Sequence, residues 1–155
     1  MSLTAGQIPK VSNVPNGGVG AIAASSNTVT LGVDTNGVTC YTAGSQGGRV
    51  YVLVASTNDT VTVNVVLWIL NGATVKPLGL RNVPLSSGNV AAAPNVDLLD
   101  PSDGNTTPLR GMMIDENGKK FIPLKANEVL RAGALANLTA AKTCWVTAIG
   151  SDYQA

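Results

Sequence analysis

Short runs in which apolar residues alternate with Thr, Asn and Ser recur along most of this chain. That is the period of half-buried β-strands, not of helices. In TVTLGVD, Val29, Leu31 and Val33 point one way, and Thr28 and Thr30 the other. Asn36-Gly37 then predicts a hairpin that returns the chain into GVTCYT. A Gly-rich loop, Ala43 to Gly48, precedes a strand from Arg49 to Ala55 that is apolar on both faces. Such a strand belongs in the middle of a sheet, covered on both sides. Ser56 to Asp59 turns the chain into Thr60 to Leu70, where Val61, Val63, Val65, Leu67 and Ile69 share one face. Val66, Trp68 and Leu70 make the later part of the opposite face apolar as well. Asn71-Gly72 turns the chain again, into ATVKPL.

From Pro77 to Pro108 the chain is rich in Pro, Ser, Asn and Asp, and reads as long loops with strand pieces near Leu80 and Leu98. Strands resume at Arg110 to Ile114 and Lys119 to Leu124, joined by the turn Asp115 to Gly118. Residues 126–131 form either a strand or one helical turn followed by a strand. Residues 134–142 are weakly helical or a loop, and the last strand runs from Thr143 to Ile149. About eight to ten short strands with regular turn signals predict an all-β fold, an antiparallel β-sandwich of jelly-roll type. No internal repeat is evident, which argues against propellers and solenoids.

Residues 1–27 differ. Their one charge is Lys10, and no strand or helix period holds for long. Ile8, Val11, Val14, Val19 and Ile22 are scattered among Gly, Ser, Asn and Pro. This predicts an extended N-terminal arm, 1–27, ahead of a β-sandwich domain, 28–155. The arm's apolar residues would fill successive small pockets on a neighbouring chain. These five, with Trp68 and Tyr153, are the candidate interface residues.

Composition narrows the chemistry. The 155 residues suit one domain. A net charge of +1 leaves no electrostatic footprint for nucleic acid or an anionic membrane surface. No apolar run nears the ~20 residues that span a bilayer. MSLTAGQIPK has neither a basic n-region nor an apolar h-region, so the chain is expected to fold in a cytoplasm. There is no histidine, and the only glutamates are Glu116 and Glu128. A Ser-His-Asp arrangement is therefore impossible, and no motif proposes a Ser-Lys pair. Asp115 and Glu116 are adjacent on a turn and point apart. Asp97, Asp100 and Asp103 lack the alternation and closing glutamate of an EF-hand, and predict a turn-rich loop. Cys40 and Cys144 show no CxxC spacing and read as buried thiols, with a disulfide left open. Trp68, Trp145, Tyr41, Tyr51 and Tyr153 could build a sugar-stacking platform, but their apolar neighbours favour packing. The expectation is a protein that is not an enzyme and uses no cofactor and no metal.

Between Ser12 and Val75 the only charges are Asp34, Arg49 and Asp59. Depletion of charge marks interface cores. Strands 49–55 and 60–70, apolar on both faces, would need covering by a partner, which predicts a homotrimer. An uncharged Gly/Pro/Asn N-terminus, the strands GGRVYVLVASTNDTVTVNVVLWIL and the ending FIPLKANEVLRAGALANLTAAKTCWVTAIGSDY occur in this order over most of the chain. In this texture the chain resembles the small jelly-roll-like structural proteins of tailed bacteriophages. The resemblance implies a trimeric capsid cement or decoration protein, made in the host cytoplasm and located in the virion, with the major capsid protein or another virion protein as partner. The alternative is a tail, baseplate or fibre component that binds a receptor or carbohydrate. The likeness carries no list of functional residues.

Overall fold

The computed structural model describes residues 13–23, 28–100 and 108–154. The described residues form ten strands: β1 (Asn13–Ala23), β2 (Val38–Thr42), β3 (Gly48–Thr57), β4 (Val63–Asn71), β5 (Thr74–Val83), β6 (Val96–Asp97), β7 (Met113–Ile114), β8 (Lys120–Leu124), β9 (Val129–Ala134) and β10 (Thr143–Tyr153). The first sheet has the order β1-β10-β3-β8-β7, with β6 also paired to β3. The second has the order β2-β9-β4-β5. Every strand pairing is antiparallel.

The partners explain the architecture. β1 pairs with β10, β2 with β9, β3 with β8 and β4 with β5. The chain is thus one long hairpin of four strand pairs, wrapped so that alternate pairs fall in opposite sheets. That is the jelly roll, and it is the sandwich that the alternation predicts. The turns at its tips are those expected. Asn71 pairs with Thr74 around Gly72, whose φ is 59°. Asp115 closes the β7–β8 turn by accepting the amides of Asn117 and Lys119 at 2.9 and 2.8 Å.

Inward side chains of both sheets make one core. Val50, Leu53 and Ala55 of β3 meet Val65 and Leu67 of β4, with Leu130, Ala132, Cys144, Val146 and Ile122 around them. A fully buried Val or Leu adds roughly 1.5–3 kcal/mol. Both thiols are buried and unpaired, and burial pushes each up to about 12, so neither is a nucleophile at neutral pH.

Three expectations change. The expected arm is, over Asn13–Ala23, a full strand: β1 pairs with β10 from Asn13↔Tyr153 to Ala23↔Thr143, and Ile22 is wholly buried in the core. β1 also packs over β2, and glycine makes this possible. A Cβ at Gly18 would lie 2.5 Å from the Cys40 carbonyl oxygen, and one at Gly20 2.9 Å from the Cys40 sulfur. Ile8 and Val11 lie outside the described residues.

Second, the TVTLGVD strand and its Asn36-Gly37 hairpin do not form. Thr28 makes a single bridge to Ala134, and β2 pairs with β9 instead. Residues 28–37 are a loop folded over the outer face of β4. Third, Pro77 does not open a loop region. It sits at the irregularity between Leu67 and Trp68 in the β4–β5 register, and β5 continues to Val83.

Candidate binding face and groove

Trp68, expected at a subunit interface, is only 2% exposed, because the chain covers it itself. Val29 packs on the Val66–Trp68 face. Asp34 accepts the Trp68 indole N–H at 2.9 Å and pairs with the Arg131 guanidinium, also at 2.9 Å. Arg131 in turn donates to the Gly37 carbonyl. Gly37 lies so close to the indole that a Cβ there would collide with it. The second apolar face of β4 therefore needs no partner chain.

The first sheet is different. Its outer face carries three cross-strand rows: Ala21–Trp145–Ser56, Val19–Thr147–Val54 and Gly17–Ile149–Val52. Across β1, β10 and β3 these rows carry no charge, while the middle row continues from Val54 to the exposed Asp97 of β6. Val19 is 58% exposed and Ile149 44%. Val14, also exposed, and half-buried Tyr153 line a separate hollow of about 400 Å³ by the β2–β3 loop, together with Gln46 and Asp152. Of the expected interface residues, the structure thus leaves Val14, Val19 and Tyr153 accessible and withdraws Ile22 and Trp68.

A groove opens at the end of this face, and a β-bulge creates it. Ile149 pairs with Val52 and Gly150 with Val50, so Tyr51 is an extra residue in β3. The bulge switches the inward side chains from Val50 to Leu53 and turns Tyr51 outward, 43% exposed. Tyr51 and Phe121 of β8 form the apolar walls of a groove of about 360 Å³, and Arg49, Lys119, Asn117 and Ser151 bring polar groups to it. A second hollow of about 550 Å³ continues past Tyr51 and shares Lys119 and Lys120. Lys120 pairs with Asp100 at 3.3 Å. The side chains of Arg49 and Lys119 have no anionic partner among the described residues. Tyr41 and Trp68 are core, so Tyr51 is the strongly exposed aromatic of the five considered. The bulge is what sequence alternation alone misses.

Of the aspartates expected to shape turns, Asp97 does so. Asp97 accepts the Leu99 amide at 2.9 Å, and Asp100 is paired to Lys120. Asp103 lies outside the described residues. Among the described residues no three His, Cys, Asp or Glu side chains converge as a metal site would require. No known family, curated protein or solved structure matches this chain.

Proposed function

We propose that this protein is a non-enzymatic structural component of a virion: a homotrimeric capsid cement that binds the major capsid protein lattice and stabilises the head. The observation that carries the reading is the part of the first sheet's outer face built by residues 17–21, 52–56 and 145–149, which has no charged side chain and leaves Val19 and Ile149 exposed. Contiguous exposed apolar surface on a sheet is a protein-binding surface unless it is covered. Binding to the assembled lattice alone would stabilise it by mass action, with no reaction and no cofactor. The test compares particles with and without the protein for rupture by heat or osmotic shock. Greater resistance of the decorated particle is expected, and equal fragility would remove the cement reading.

A second reading is a tail or fibre module that binds a receptor or carbohydrate. The exposed Tyr51 in its groove favours it.

A further inference from the structure

We infer that the Tyr51 groove binds a carboxylate-bearing saccharide, with Arg49 as the carboxylate anchor and Tyr51 as the stacking surface. The inference rests on the second reading and is independent of the cement reading.

The cations of the chain carry the argument. Among the described residues, Lys76 is paired to Glu128, Lys120 to Asp100 and Arg131 to Asp34. Arg81 is buried, and its Nε donates to the Leu98 carbonyl at 2.9 Å. Arg49, Arg110, Lys119, Lys125 and Lys142 form no ion pair among the described residues, and of these Arg49 and Lys119 line one groove together. The carboxylate lining it is Asp115, whose Oδ1 already accepts two amides of its own turn; Asp97 and Asp100 line the adjoining hollow, where Asp97 accepts the Leu99 amide and Asp100 pairs with Lys120. An unpaired guanidinium at a groove wall is suited to a planar carboxylate, which it can hold through two parallel hydrogen bonds.

The rest of the groove sets the ligand class. The Tyr51 ring presents a weakly negative π-face, on which the C–H face of a pyranose can pack. Asn117 and Ser151 place a carboxamide and a hydroxyl around that ring, matching ring hydroxyls. An acidic peptide is served less well. Extended peptides are usually held by backbone pairing along a free sheet edge. Here β3 is paired to β10 on one side and to β8 and β6 on the other. A few side-chain polar groups around an aromatic wall, in a groove of about 360 Å³, fit one or two sugar rings.

The experiment titrates the full chain with trigalacturonic acid, with maltotriose as a neutral control and with a tetraglutamate peptide, by calorimetry and by heteronuclear NMR. Saturable binding of the uronide is expected, with shifts confined to the groove and affinity at least about tenfold above that of maltotriose. Arg49→Gln and Tyr51→Ala should each weaken it by about tenfold, while Lys142→Ala, a charge loss in the 139–142 turn, leaves it unchanged. Thermal melts establish that each variant is folded. If Arg49→Gln does not fold, the shifts of the Tyr51 and Phe121 ring signals in the native protein decide the matter. Uronide binding that ignores Arg49→Gln and Tyr51→Ala, or falls equally with Lys142→Ala, overturns this site but leaves the second reading standing. Binding of tetraglutamate in preference to the uronide overturns the saccharide in favour of an acidic protein segment. No binding of either probe overturns both the site and the second reading, and leaves the cement reading untouched.

Discussion

Two of the three charged residues in the charge-poor stretch from Ser12 to Val75, Asp34 and Asp59, have separate structural tasks. Asp34 pins the 28–37 loop to Trp68 and Arg131. Asp34→Ala would leave a buried indole N–H and a guanidinium without that acceptor, and such a loss costs about 1–3 kcal/mol. A lower urea midpoint and a red shift of tryptophan emission should report it; an unchanged midpoint would mean that the loop is not held this way. Asp59 is fully buried and accepts the amides of Thr60 and Thr139 at 2.7 and 2.9 Å. Burial alone would raise its pKa, but the hydrogen bonds from the Thr139 hydroxyl and from the amides hold it below the ordinary carboxylate range. In Glu128 burial is likewise outweighed, by Lys76, the Lys125 amide and Asn71. Carboxylates with folded pKa values below their unfolded ones contribute stability that is complete above the unfolded values, about 4, and is lost as pH falls through the folded ones. Stability should therefore decline below about pH 4. Asp59→Asn together with Glu128→Gln should flatten that decline, and an undiminished slope in the double variant would exclude these two groups as its source.

At the scale of elements, β1 is the strand whose role is most open to experiment. It extends the first sheet beyond β10 and closes the sandwich over β2, while Asn16 donates to the Thr42 carbonyl at 3.0 Å and to Asp152 at 2.7 Å. Tyr41 donates to the other Asp152 oxygen at 2.7 Å, completing the corner. Deleting residues 1–12 should leave a cooperative thermal transition. Deleting residues 1–23 removes Ile22 from the core and bares the edge of β10, so the domain should unfold or aggregate. Ile22→Ala alone should cost about 2–5 kcal/mol. A stable, soluble 24–155 fragment would show that β1 is an arm after all. The bulge at Tyr51 is the second decisive feature, since it turns an aromatic of a central strand out of the sheet.

For the whole molecule, the two outer sheet surfaces have different fates. The second sheet is capped over Trp68 by its own chain, so the case for a partner rests on the first sheet. Val19→Asp and Ile149→Asp place charges on exposed rows without touching the core. Each should keep the wild-type melting temperature within a few degrees and reduce the proposed trimer to monomer in light scattering. Retention of the trimer in both variants would move the interface elsewhere. Assembly through an uncharged face should change little between about 0.05 and 1 M salt, whereas binding of an anion in the Arg49 groove should weaken several-fold over the same range.

The alternation of Val and Leu with Thr and Asn, and turns such as Asn71-Gly72 and Asp115–Gly118, were enough to determine an antiparallel sandwich. These signals are local: a period of two residues places side chains on one face, and a turn depends on its own backbone. Residues 28–37 carry the same alternation and the same Asn-Gly signal, yet form a loop. Contacts with Trp68 and Arg131, distant in sequence, outweigh a local preference for pairing. Scattered apolar residues hid β1 for the converse reason. Its glycines weaken strand propensity but permit the close approach to β2, which exists only in the folded molecule. The groove was illegible for a third reason. It requires a register shift opposite Ile149–Gly150 and the meeting of Arg49 with Lys119, two cations far apart in the chain and joined only by the pairing of β3 with β8. Local periodicity decided which faces are apolar; tertiary packing alone decided which of them remain open to a partner.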